Sequence, residues 1–171
     1  MTVQIRPARD EDLKSLVALY NHYVIKTPIT FDLKPYTVEQ RRQSWFSHYR
    51  DTGRYRLIVA ECDQGVVGYA SSSKFATKAA YNTSVETSVY VASQYVGVGV
   101  GSQLYAALFQ SLEGEDVHCA YAGITLPNEA SVAIHRKFGF EQAGVFKEVG
   151  RKFGQYWSVA WYEKVLTNTK R

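Results

Sequence analysis

Between Leu13 and Val24 the apolar residues Leu13, Leu16, Val17, Tyr20 and Val24 recur at i, i+3, i+4, i+7 and i+11. That spacing lays one stripe of side chains along a single face of an α-helix. The preceding VQIRPA reads as a short strand, and Asp10, Glu11 and Asp12 stand as first-turn acids ahead of the helix. KTPITFD brings a proline and two β-branched threonines, which break the helix into a loop. Thr37-Val-Glu-Gln40 has capping-box spacing and opens a second helix that is predicted to run through Trp45, Phe46 and Tyr49 to Gly53.

The period then falls to two. RLIVAE and VVGYASSS, separated by CDQG, predict an antiparallel hairpin, and TSVETSVYV predicts the next strand. SQLYAALFQSLE returns to helical spacing, and HCAYAGITL is a short apolar strand. Pro127 and Asn128 open a fourth helix with Gly139 as its stop, and FGFEQAGVF and YWSVAWYEKVL close the pattern as two strands. The order β-α-α-β-β-β-α-β-α-β-β predicts an α/β (mixed α+β) fold. Its mixed central sheet has about seven strands with four helices on its faces, unlike the regular βαβαβ of a doubly wound dinucleotide fold.

One junction in that pattern carries chemistry. In SVETSVYVASQYVGVGVGSQLYAAL a strand meets Gly97, Gly99 and Gly101 and then a helix start. A helix N-terminus offers unpaired N–H groups and the positive end of a dipole, and glycine lets an anion approach the backbone. No lysine follows in the GxxxxGK[ST] spacing, so a nucleoside-triphosphate loop is excluded. The glycines follow the fourth strand as GxGxG, not the first strand as GxGxxG, which disfavours a nicotinamide dehydrogenase. Tight turns in a packed β-to-α corner are the bland alternative.

Composition narrows the field. With 171 residues, 46% hydrophobic and 21% charged, the chain reads as one domain over 1–171 with a core of useful size. The net charge of +4 is scattered over Arg41, Arg42, Arg54, Arg56, Arg136, Lys137, Arg151 and Lys152, so a nucleic-acid footprint is not expected. Cys62 and Cys119 lie in apolar runs without CxxC spacing and read as free thiols; no metal site is expected. The N-terminus is charged almost at once, and no apolar run approaches the roughly 18 residues of a membrane span. A soluble cytoplasmic protein is the expectation.

VETSVYVASQYVGVGVGSQLYAAL together with YAGITLPNEASVAIHRKFGF resembles the acetyl-CoA-binding core of the GNAT N-acetyltransferases. YNHYV, TFD, AAYNTSVETSVYV and GVFKEVGRKFGQYW resemble more narrowly the phosphinothricin and methionine sulfoximine acetyltransferase branch. The resemblance covers about Val3 to Leu166 and is most specific in the second half. It implies a GNAT-like fold whose sheet is splayed at the cofactor site, with acetyl-CoA as cosubstrate. The pantetheine arm would lie between strands at about 83–92 and 117–125, bonded by backbone groups of Val89 and Val91. The amides from Gly97 through Val98, Gly99 and Gly101 to Ser102 would receive the pyrophosphate. Val96 and Val98 depart from the basic or glutamine residues common at those positions, with Gln94 close by in sequence.

The resemblance also implies roles for side chains. Glu86 is placed as the general base, and its position among Tyr81, Tyr90 and apolar strands implies desolvation that raises its pKa. His135 stands where many relatives carry the tyrosine that protonates the leaving thiolate, with helix packing as the other reading. Asn128 reads as an N-cap and, by resemblance, as a contact to the cofactor arm or thioester. Phe31 resembles an aromatic substrate wall. Ala76 and Lys78 stand where related sequences often carry two arginines for a substrate anion, and Tyr81 offers a hydroxyl to the same substrate. The implied reaction is acetylation of the primary amine of a small amino-acid-like substrate by a homodimer. Acetylation of a protein N-terminus or lysine is the rival within the superfamily, and a noncatalytic CoA-binding module is the rival outside it.

Overall fold

The computed structural model describes residues 2–166. Its strands are β1 (Gln4–Pro7), β2 (Leu57–Cys62), β3 (Gly65–Lys74), β4 (Ser84–Val91), β5 (Cys119–Leu126), β6 (Glu141–Lys152) and β7 (Gln155–Val165). The helices are α1 (Leu13–Lys26), α2 (Val38–Ser44), α3 (Val100–Ser111) and α4 (Glu129–Lys137). All seven strands form one sheet in the order β1-β2-β3-β4-β5-β7-β6. Every neighbouring pair is antiparallel except β4 and β5, which run parallel.

Local chemistry explains several boundaries. The acids before α1 form a separate 3-10 turn, Asp10–Asp12, instead of its first turn. Asp12 is buried there and accepts hydrogen bonds from both terminal guanidinium nitrogens of Arg6 at 2.7 and 2.8 Å, tying β1 to the start of α1. The capping box at α2 is formed as expected, with Gln40 N–H donating to Thr37 Oγ1 at 3.2 Å and Thr37 N–H to Gln40 Oε1 at 2.9 Å. The helix then stops at Ser44, well short of Gly53. Trp45 leaves helical geometry (φ −140°, ψ −60°) and sets its ring against Tyr69 and Tyr49, so tertiary packing overrides the continued pattern. β6 is longer than its sequence pattern predicts, because irregularities at Gln142/Gly144 and Phe146/Gly150 absorb the polar residues that break its alternation.

The pleat gives the sheet two different faces. Val85 and Val91 of β4 belong to the core built with Val100, Leu104, Tyr105 and Leu108 of α3, beside which Val89 and α4 also pack. Tyr69 and, at its margin, Tyr90 join the core built on Leu16, Tyr20 and Val24 of α1. Alternation therefore points Glu86, Ser88 and Tyr90 to the α1/α2 face and Val85, Thr87, Val89 and Val91 to the α3/α4 face. Among the described residues no helix is long and apolar enough to cross a membrane.

Candidate active site

The parallel junction is a fork. β4 and β5 are in register only at Ser84↔Cys119, Val85↔Ala120 and Glu86↔Tyr121, whereas β4 stays paired with β3 up to Val91 and β5 with β7 up to Leu126. Beyond Glu86 and Tyr121 the facing edges of the two strands part. Thr87 marks the vertex, its hydroxyl donating to the Tyr121 carbonyl at 3.2 Å. The Val91 carbonyl faces away from β3 and accepts the Tyr23 hydroxyl at 2.5 Å. Alternation turns the N–H and C=O of Val89 the same way, toward the gap.

On the α3/α4 side the fork opens into a cleft of about 560 Å³. Val89, Val91, Gly97, Gly99, Gly101, Ser102 and Asn128 all line it, so the structure brings these sequence-selected residues together. Gly99 is the N-cap of α3 in a left-handed conformation (φ +90°), with no side chain capping the helix. The first helical bond runs from Gln103 N–H to the Gly99 carbonyl at 3.1 Å, which leaves the N–H groups of Val100, Gly101 and Ser102 directed out of the helix end. Gly101 is needed for a different reason: a Cβ there would sit 3.1 Å from Ile134 Cδ1, so glycine sets how closely α3 and α4 approach. Val96 lines the cleft, and Val98, 62% exposed, lies beside it in the turn without being among the lining residues.

The positive side chain in this cleft comes from an element that motif reading passed over. Lys137, the last residue of α4, lines the cleft and donates from Nζ to Ser102 Oγ at 3.0 Å. Its only signal in the sequence is the HRK run ahead of Gly139, which reads equally as cations favoured at a helix C-terminus.

A narrower opening of about 40 Å³ passes between the parted strands. It is lined from one face by Thr87, Val89, Ala122 and Ile124 and from the other by Ser88, Tyr90, Gly123 and Thr125. Glu86 stands at its vertex on the α1/α2 face. Burial pushes the Glu86 carboxyl above its ordinary value of 4.5, as the sequence led us to expect. Its partner Tyr121 stacks on Phe75 at 4.4 Å, and Phe75 meets Tyr81 edge-on at 5.9 Å. Tyr81 therefore joins the Glu86 neighbourhood through an aromatic chain; it ends a 3-10 turn, Ala79–Tyr81, which the exposed Lys78 immediately precedes.

His135 is 3% exposed and lines the narrow opening. Its Nδ1 lies 2.7 Å from the Ser131 carbonyl, which only accepts, so Nδ1 carries the proton. Burial lowers the His135 pKa and keeps the ring neutral, which makes Nε2 an acceptor for the Tyr105 hydroxyl at 2.8 Å. That hydroxyl is also 3.4 Å from Thr87 Oγ1. In this arrangement Nε2 has no proton to donate to a thiolate. Asn128 caps α4, Oδ1 accepting from Ser131 N–H at 3.1 Å, and lines both openings.

The loop between α1 and α2 roofs the fork. Ile29, not Phe31, lines both cleft and opening. The Phe31 ring lies against Gly150 of β6, so close that a Cβ at that glycine would fall 2.2 Å from Cε2. Lys152, 5% exposed, donates to the Thr30 carbonyl at 2.7 Å, and Asp32 accepts the hydroxyls of Tyr20 at 2.5 Å and Tyr36 at 3.1 Å. Lys152 is a second residue the sequence did not single out.

Residues 5–161 match the acetyltransferase (GNAT) domain family. The chain is 58% identical over 166 residues to phosphinothricin N-acetyltransferase of Streptomyces coelicolor, covering 96% of each protein. It is 32% identical to the L-methionine sulfoximine/L-methionine sulfone acetyltransferase of Pseudomonas paraeruginosa, over 99% of this chain and 98% of that one. Among solved structures it superposes, with TM-score 0.88 and 29% identity, on the GNAT superfamily phosphinothricin acetyltransferase of Sinorhizobium meliloti in complex with AcCoA, over 99% of this chain and 93% of that chain.

Proposed function

Since the chain belongs to the GNAT acetyltransferases and is an acetyl-CoA-dependent N-acetyltransferase, we propose that it acetylates the primary amine of a small amino acid or analogue of the phosphinothricin or methionine sulfoximine type. Glu86 acts as its general base. Acetyl-CoA lies in the cleft with its pyrophosphate on the α3 amides and its pantetheine arm along Val89 and Val91. Its thioester reaches the vertex of the fork from the α3/α4 face. The amine approaches from the other face, between Glu86 and the aromatic residues Phe75, Tyr81 and Tyr121, with Phe31 behind the roof loop and Lys78 toward the substrate's anionic group.

A neutral amine attacks the thioester carbonyl carbon, a C–N bond forms and the C–S bond breaks; the proton that the acylated nitrogen sheds balances the one that the thiolate takes up, so the products are the amide and the free thiol of CoA. The amine must first lose its own proton, and a carboxylate whose pKa is pushed up by burial is a stronger base than an ordinary one. The observation that carries this reading is the position of Glu86 as the last registered residue before the strands part. Neutral His135 serves by holding the Tyr105 hydroxyl beside Thr87 at the vertex. The substrate reading is tested with acetyl-CoA and a free-thiol reporter against amino acids, polyamines, aminoglycosides and peptides. Turnover confined to free amino acids supports it, and turnover only of peptides or lysine side chains refutes it.

The expected homodimer fits Phe146 and Val149 of the outermost strand β6, Phe153 of the turn after it and Tyr156 at the start of β7, which are 54 to 61% exposed. Sedimentation of the protein and of Phe146→Asp tests it. A monomer in both cases contradicts it. A cytoplasmic location belongs to the same proposal and is checked by fractionation.

A further inference from the structure

The cleft presents an anion site from which the loop cations are missing. Val96 and Val98 are 51% and 62% exposed where a basic side chain would ordinarily meet phosphate, and the α3 N-terminus is capped by a glycine with no side chain. Backbone amides alone offer partial charges, and the phosphoanhydride of CoA carries full ones. A compensating cation has to come from elsewhere in the fold. Lys137 reaches in from the far wall: its Nζ bonds Ser102 Oγ, the residue whose N–H is one of the three left free at the start of α3. Among the described residues the cleft lining includes no Arg and no other Lys.

We propose that Lys137 supplies the pyrophosphate contact that Val96 and Val98 do not, so that this enzyme draws its phosphate-binding cation from the C-terminus of α4 instead of the glycine loop. The assignment rests on the reading of the cleft as the acetyl-CoA site. An ammonium on a four-carbon stem is a mobile point charge, and Ser102 Oγ is a resting partner that it exchanges for phosphate oxygens. The contact also explains a spacing. Gly101 lets α4 close on α3, and that closeness brings a side chain rooted on one helix to the end of the other.

The test is calorimetric titration of Lys137→Ala and Lys137→Met with CoA, with dephospho-CoA lacking the 3′-phosphate, and with pantetheine lacking all phosphates. Gly99→Val serves as the control for the site itself. We expect Kd for CoA and for dephospho-CoA to rise about tenfold in both variants, the weak binding of pantetheine to be unchanged, and the salt dependence of CoA binding to become shallower. Apo melting temperature should stay close to wild type, because Lys137 is exposed. If the loss appears with CoA but not dephospho-CoA, the lysine serves the 3′-phosphate and the assignment is overturned. If CoA binds both variants within twofold of wild type while Gly99→Val abolishes binding, the lysine is a helix-end residue only. If Gly99→Val also binds normally, the reading of the cleft itself has failed.

Discussion

Glu86 of β4 and Tyr121 of β5 are the last residues in register across the one parallel junction of the sheet, and the strands part immediately after them. A carboxylate at that vertex faces the α1/α2 side, while its neighbour Thr87 faces the α3/α4 side and bonds across the fork. The sheet therefore places a carboxylate on one face and the cleft on the other, with the narrow opening between them. In the proposed reaction that arrangement separates the amine from the bulk of the cosubstrate and lets them meet at one point.

The glycine turn gives the first prediction. Gly99 has φ +90°, a conformation that strains an L side chain by about 1–2 kcal/mol, and nothing in the protein lies within 4 Å of a Cβ placed there. The side chain of Gly99→Val would project into the cleft and collide with the ligand, not with the fold. Calorimetry should find acetyl-CoA binding weakened at least about tenfold, with the melting temperature lowered by only a few degrees.

A second prediction concerns the roof loop. A methyl group at position 150 would overlap the Phe31 ring, so Gly150→Ala must displace that ring from β6. If Phe31 backs the amine site, initial-rate kinetics should show KM for the amine raised about tenfold with KM for acetyl-CoA unchanged. Lys152→Met, which removes the bond to the Thr30 carbonyl, should move the same parameter in the same direction. Equal changes in both KM values would make the loop a general structural element.

Glu86 also gives a prediction about stability. Its folded pKa is raised above the ordinary 4.5, so between those two values the folded protein holds a proton that the unfolded chain has lost. Stability of the wild type must then fall as pH rises through that window. Glu86→Gln lacks this term. Thermal melts should find the variant more stable than wild type at pH 7, with the gap closing as pH drops below 4.5. A gap independent of pH would mean that the carboxylate is not held against its ionisation.

Much of this was legible in the sequence because the signals were local. The order of eleven elements, the glycine turn and the Thr37/Gln40 cap each depend on residues within a few positions of one another. The missed features depend on contacts between distant segments. Lys137 meets Ser102 across 35 residues, and Lys152 meets Thr30 across 122; no periodicity encodes such pairs. His135 was visible as a candidate, but its tautomer is set by the Ser131 carbonyl and the Tyr105 hydroxyl, which only the folded geometry supplies. The end of α2 at Ser44 was hidden for a related reason, since the aromatic run that extends the helical pattern is spent on packing against Tyr69.

The central claim is that Glu86 removes the proton that keeps the amine from attacking. An α-amino group with a pKa near 8 is mostly ammonium at neutral pH, and a positioned base contributes about 10²–10⁴ in rate. Glu86→Gln keeps the shape of the side chain and removes its basicity. The most direct measurement is kcat/KM of this variant and of wild type from about pH 6 to pH 9, with acetyl-CoA affinity measured alongside. We predict a fall of about 10²–10⁴ at pH 7, partly recovered as rising pH deprotonates the amine in solution, with acetyl-CoA binding little changed. A variant that stays within about threefold of wild type across that range would contradict the account and leave Glu86 a structural residue of β4.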